Sequence, residues 1–338
     1  MKPGFLRASL VVLGTFTIIL LPLWFMFTQP LLPPQPSPPQ EMNPAPDRHA
    51  LTRHVYAISG PLSPRSWQHP ENLENTAGYI ATEWERAKME AQQQIFSTRE
   101  GEFKNVFVNL GPDTEELIVV GAHYDAHGPN PGADDNASGV ASIIELAKML
   151  QKVELKKRVI VIGYSLEEPP HFGTKEMGSA AHAMALKSEN KKVLAMISVE
   201  MIGYFHDEAG SQEFPMPILS HFYPDTGNFI AVASNLQNAG LTRRVKRSMR
   251  GASDLPVLSI NAPNLVPGID FSDHRNYWEQ GFPAVMVTDT AFFRNKNYHT
   301  PNDTPERLDY KRMQKVVAGI FRATVDLANG EGYSLPSR

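Results

Sequence analysis

The chain has 338 residues, 42% of them hydrophobic and 20% charged, and its 32 basic and 36 acidic side chains give a net charge of −4. That composition supplies a sizeable core and excludes disorder throughout, and the slight acidic balance argues against a nucleic-acid partner, which calls for a basic excess. The absence of cysteine excludes disulfide frameworks, thiolate metal sites, cysteine nucleophiles and a lipid-modified N-terminal cysteine, so any metal must be held by His and carboxylates.

Lys2 and Arg7 precede a run of twenty uncharged residues, Ala8 to Phe27. At about 1.5 Å per residue a helix of that length spans about 30 Å, the hydrocarbon thickness of a bilayer. The run is long for the apolar region of a signal peptide and no small-x-small cleavage site follows it, so it reads as an uncleaved signal anchor in the lipid bilayer through residues 8–27. Positive charge on its N-terminal side places the N-terminus in the cytoplasm and the rest of this single-pass membrane protein on the extracytoplasmic side, periplasmic or extracellular. The expected organisation is a cytoplasmic tip and transmembrane anchor over 1–28, a Pro-rich linker over 29–46 and one large domain over 47–338. Eight prolines between Pro30 and Pro46 favour extended polyproline II and suggest a stalk.

Beyond the linker, Leu73, Ala77, Ile80, Trp84 and Ala87 recur at helical spacing and predict an amphipathic helix over 72–91. Leu117–Val120 reads as a buried strand, Val140 to Leu150 as a helix, and Val159–Ile162 as a second buried strand. Val193–Ile197 and Pro283–Val287 predict two more. For the last helix, Thr304 can cap, Pro305 suits the first position and Asn329-Gly330 can end it. Strands alternating with helices imply an α/β fold with a mixed, largely parallel central sheet and helices on both faces. In such sheets chemistry gathers at the carboxyl ends of the strands.

Five segments place acids or histidines in loops, most of them just after those strands. Gly121-Ala122-His123-Tyr124-Asp125 puts a possible metal ligand two residues before a carboxylate able to hold its tautomer. Gly132-Ala133-Asp134-Asp135-Asn136 precedes a helix, where capping competes with metal bridging. Glu167-Glu168 follows a strand too apolar to be an exposed ribbon, and adjacent buried acids repel unless a cation lies between them. Glu200 sits in an apolar run and needs a partner. Tyr298-His299 lies shortly before the last helix. Two His, one Asp and two Glu make a balanced N/O ligand set for two divalent ions.

In these motifs the sequence resembles the co-catalytic dizinc aminopeptidases of the aminopeptidase Y and bacterial leucyl aminopeptidase type. Ser272-Asp273-His274, Trp278, Gly281-Phe282-Pro283-Ala284 and Thr288-Asp289-Thr290 match as well, over roughly Arg48 to Leu327. The resemblance implies a zinc-exopeptidase fold for 47–338, two zinc ions and peptide substrates with free N-termini. Residue by residue it implies that Asp134 bridges the two zincs, with His123 and Glu200 on one and Glu168 and His299 on the other. It also implies that Asp125 orients His123, that Glu167 is the general base towards an activated water, and that Tyr298 helps to stabilise the oxyanion.

Two departures from the family pattern stand out. Glu200 replaces the more usual Asp, and Pro169 to Met177 enlarges the loop after the base, bringing His171 within reach of substrate. Three alternatives remain at this point. A glutaminyl cyclase shares the fold but works with one zinc and lacks a His at the first ligand position. A carboxypeptidase would need arginines such as Arg275 or Arg294 to grip a carboxylate. A non-catalytic ectodomain of peptidase ancestry would have lost its ligands.

Overall fold

A computed structural model describes residues 45–330, together with 24–25 and 27–29. Most of the apolar run 8–27 and of the Pro-rich segment lies outside the described residues, and among the described residues no helix is long and apolar enough to cross a membrane.

Eight strands form one sheet in the order β1-β2-β4-β3-β5-β8-β6-β7. They are β1 (Gln92–Thr98), β2 (Gly101–Leu110), β3 (Glu116–His123), β4 (Arg158–Tyr164), β5 (Lys192–Glu200), β6 (Ile230–Ser234), β7 (Val257–Asn261) and β8 (Ala284–Thr288). Strands β4, β3, β5 and β8 are mutually parallel. The β1–β2 hairpin joins antiparallel to β4, and the parallel pair β6–β7 joins antiparallel to β8. The expected mixed sheet with a parallel centre is therefore present.

The central strands are apolar on both faces because both are covered. Ile118, Val120 and Ala122 point into a core shared with α1 (Arg48–Ser59), α2 (Pro70–Arg86), α3 (Gly139–Leu150), α5 (Ala239–Arg250) and α7 (Tyr310–Asn329). Leu117 and Val119 pack on the other face against α4 (Gly178–Ser188) and α6 (His274–Glu279), through Ala183, Leu186 and Tyr277. At Gly121 a Cβ would run into the ring of Tyr164, so the glycine admits a tyrosine whose hydroxyl lies 2.7 Å from that of Tyr277. The chain leaves β3 for β4 on one side and returns for β5 on the other, which opens a crevice at the carboxyl end of β3.

Two predicted boundaries are corrected: the helix expected over 72–91 is Pro70–Arg86, and the last helix starts later than expected. Pro305–Arg307 forms only a 3-10 turn, Leu308 is extended, and α7 begins at Tyr310. Asp309 is its cap, accepting from the amides of Lys311 and Arg312 at 3.0 and 2.9 Å, and Thr304 makes no capping hydrogen bond.

Candidate metal centre

The expected chemistry converges at the carboxyl ends of the parallel strands. His123 is the last residue of β3 and Glu200 the last of β5. Glu167 and Glu168 lie just past β4, and Asp135 lies in the turn entering α3. His299 arrives from the loop before α7. The loops that turn these side chains inward use left-handed backbone at non-glycine positions, with φ of 61° at Leu166, 48° at Met201 and 57° at His299. Such conformations cost of order 1–3 kcal/mol each and concentrate at functional sites.

Asp135 is the hinge of the arrangement. Its Oδ1 lies 3.4 Å from His123 Nε2 and its Oδ2 lies 3.1 Å from His299 Nε2. His123 Nε2 is also 3.3 Å from Glu200 Oε2, and His299 Nε2 is 3.1 Å from Glu168 Oε2. Two donor triads result, His123–Asp135–Glu200 and Asp135–Glu168–His299, sharing one carboxylate. The second triad is aimed at a common point rather than paired internally. His299 Nε2 aligns a hydrogen bond with neither nearby carboxylate, and Glu168 Oε1, though buried, has no hydrogen-bond partner. Three carboxylates and two imidazoles in a largely buried pocket, with lone pairs left over, fit a pair of divalent cations.

The expected bridging role of Asp134 is corrected by this geometry. Asp134 turns away from both histidines, accepting from the amide of Gly203 and from Asn295 Nδ2, each at 2.9 Å. Burial and neighbouring Asp289 raise its pKa well above the carboxylate range. An adjacent-acid motif does not disclose which acid faces inward. Asp303, which the sequence reading passed over, decides it by accepting from the amides of Asp134 and Asp135, both at 3.0 Å. Asn136 fixes the far side, with Oδ1 accepting from Gly139 and Met201 and Nδ2 donating to Val199. The capping reading of this segment thus falls to Asn136 and the inward position to Asp135.

Asp125 stands behind the centre. Its Oδ1 lies 3.3 Å from His123 Nδ1, and its two oxygens accept from the amides of Glu167 and Glu168 at 3.1 and 3.0 Å. Ser272 donates to Glu200 Oε2 at 2.7 Å, which braces the longer arm of that residue. Glu167 Oε2 lies 4.0 Å from His123 Nε2, close to the centre but outside both triads. Burial raises its pKa strongly, the charges of Glu200 and Glu168 add to the rise, and His123 opposes it. Burial pushes Glu168 up to about 8, with Asp135 adding to the rise. Burial alone would lower the pKa of His299, but the carboxylates of Asp135 and Glu168, each 3.1 Å from Nε2, outweigh it and raise the group to about 10. Burial chiefly raises the two glutamates, and a surplus of negative charge without enough cations adds to their rise and lifts His299.

His299 is stacked between two rings, Tyr298 at 3.7 Å and His127 at 4.0 Å between centroids. Tyr298 is therefore beside the centre, while His127 is a neighbour that no sequence motif marked. The enlarged 169–177 loop does not present His171 to the centre. That ring is buried, 3.1 Å from Glu100 in the β1–β2 turn and edge-on to Trp67. Glu176 of the same loop pairs with Arg99. Arg294 is buried and bonded to Gln212 and the carbonyl of Phe229, and Arg275 packs over Phe172 beside Asp270. Neither arginine is poised to hold a substrate carboxylate.

The sequence profile of peptidase family M28 matches residues 105–324. The chain belongs to this family and is a metallopeptidase. It is 42% identical over 312 residues to the uncharacterized protein YfbL of Escherichia coli (strain K12), covering 90% of this chain and 94% of that one. Leucine aminopeptidase 1 of Ajellomyces dermatitidis is 26% identical over 66% of this chain, which spans 55% of that protein's length. Two solved structures share the fold. BSAP, a zinc aminopeptidase from Bacillus subtilis, aligns at a TM-score of 0.66 with 14% identity, over 85% of this chain and 97% of that one. Fimbriiglobus ruber glutaminyl cyclase aligns at 0.65 with 20% identity, over 87% and 99%.

Proposed function

We propose that the chain is a membrane-anchored aminopeptidase that uses two zinc ions. The observation that carries the reading is Asp135, whose two oxygens face His123 and His299, each backed by one more carboxylate. A centre built for a single ion has no use for the second triad, which weighs against a cyclase. The names of the curated leucine aminopeptidase and of the solved zinc aminopeptidase point the same way. The membrane anchor rests on the apolar run 8–27 and places the domain outside the cytoplasm.

His123, Glu200, Glu168 and His299 would hold the ions with Asp135 between them, and the ions supply Lewis acidity towards a carbonyl and an acidified water. Glu167 takes the proton of the attacking water and delivers it to the leaving amine. Asp125 keeps His123 in one tautomer and fixes the backbone that carries both glutamates. Tyr298 stands beside the place where charge develops on the carbonyl oxygen. An apolar pocket beside Glu200, lined by Phe214, Phe229, Ile269, Phe271, Met286 and Phe292, suits a large apolar N-terminal side chain.

The test is zinc stoichiometry of the full chain in detergent, together with hydrolysis of a panel of Xaa-anilides with free and blocked N-termini. About two zincs and chelator-sensitive release from free termini only are expected. About one zinc with cyclisation of N-terminal glutamine would transfer the chain to the cyclases, and no metal and no turnover would make it a binding ectodomain.

A further inference from the structure

Trp24, Phe25 and Phe27–Gln29 make a helical turn fastened to the β7 edge of the sheet. Thr28 Oγ1 donates to the carbonyl of Trp24 at 2.7 Å and the Gln29 amide donates to that of Phe25 at 3.1 Å. The carbonyl end of this turn meets a buried lysine. Lys246 of α5 donates to the carbonyls of Thr28 and Gln29 at 2.7 and 3.3 Å and to Ser259 Oγ at 3.1 Å. Ser259, in β7, donates to the same Thr28 carbonyl at 2.8 Å. A buried ammonium is costly unless its donors are satisfied, and the carbonyl end of a helical turn is where a cation is favoured. Here the turn supplies two of the amine's three acceptors. Burial, with Arg250 nearby, lowers the amine's pKa to about 8.

On the other face of the same edge, Phe27 packs against the cluster of Ala233, Ala262, Ile269 and Met286. Ala233, Ile269 and Met286 also line the apolar pocket beside Glu200. The far end of the Pro-rich segment is fixed as well, because Gln314 of α7 donates to the carbonyl of Pro46 at 2.7 Å. Both ends of the stretch expected to be a stalk therefore sit on the domain.

We propose that the turn of Trp24, Phe25 and Phe27–Gln29 is a strap built into the peptidase domain, with Lys246 and Ser259 as its clasp and Phe27 as a specificity-determining residue that backs the apolar pocket. The segment held by the domain cannot also lie in the bilayer, so an anchor in the apolar run 8–27 would have to end before Trp24 and would bring the domain directly against the lipid surface. The specificity role rests on the proposed aminopeptidase activity, whereas the docking does not.

The chain has no cysteine of its own, so paired cysteines report the docking without background. In the full chain in detergent, Thr28→Cys with Ser259→Cys should form an intramolecular disulfide under mild oxidation. Thr28→Cys with Ser97→Cys, in β1 at the opposite edge of the sheet, should not. Equal behaviour of the two pairs would overturn the strap, whether or not the protein is active. In Phe27→Ala the ratio of kcat/KM for a leucyl over an alanyl anilide should fall by about fivefold, a fraction of what a direct pocket contact commands, with zinc content unchanged. An unchanged ratio in a chain that still cross-links through the first pair would overturn the role of Phe27. Loss of all anilide hydrolysis in the unmutated chain would overturn the aminopeptidase reading and leave the cross-link result standing.

Discussion

Asp134 and Asp135 are adjacent aspartates, both buried, yet only one faces the histidines. Asp135→Asn should lose most bound zinc. Asp134→Asn should keep about two ions and show only a stability loss of about 1–3 kcal/mol from its disturbed hydrogen bonds to Gly203 and Asn295. Zinc analysis of the two purified variants separates the outcomes, and the reverse pattern would restore Asp134 as the bridge. Glu167→Gln should retain zinc and lose about 10²–10⁴-fold in turnover, the usual worth of a general base. Near-normal turnover in that variant would mean that another group takes the proton. Residue types and spacing were enough to find the cluster, because acids in apolar runs need cations. They could not show which acid turns inward, since Asp303, which fixes that choice, lies 168 residues beyond Asp135.

Among the elements, the apolar runs of four or five residues in β3, β4, β5 and β8 were legible because both faces of each strand are covered. The hairpin strands β1 and β2 were not, since residues such as Gln92, Gln93 and Ile95 stand exposed at the sheet edge and give no apolar run. Strands β6 and β7 escaped because they lie in a stretch rich in loops, and the apolar run of β7 is broken by Ser259. The start of α7 was misplaced because Thr304-Pro305 and Asp309-Tyr310 both make plausible helix beginnings, and only the second is followed by an unbroken helix. Asp309→Ala should therefore cost about 1 kcal/mol, as lost caps do, while Thr304→Ala should be near neutral. Denaturant titration of the two variants distinguishes them.

In the whole molecule, the unbalanced charge at the centre becomes a pH dependence. Without metal, burial chiefly holds Glu168 near 8 and Asp273, Asp289 and Asp303 near 7. All four lie well above unfolded carboxylates, so the folded chain binds more protons than the unfolded one between about pH 4 and 8. Raised pKa values at His123 and His299 act in the same direction. The contribution of these groups to stability is present in mild acid and is lost as pH rises through neutrality. Chelated protein should therefore show a falling Tm from about pH 5 to 8, and zinc should remove most of that slope by supplying the missing positive charge. A metal-free Tm that climbs over this interval would contradict the charge assignment. At pH 8, saturating zinc at about a thousand times its Kd should add about 4 kcal/mol.

Asp125 has a consequence of a different kind. The same carboxylate stands behind the histidine that ends β3 and binds the two amides that carry the glutamates after β4. The two halves of the centre are therefore tied together, and a substitution at Asp125 that disturbs one disturbs the other. Innovation in substrate choice is then confined to parts outside that lock, such as the apolar pocket, the loop after the base and the strap behind it.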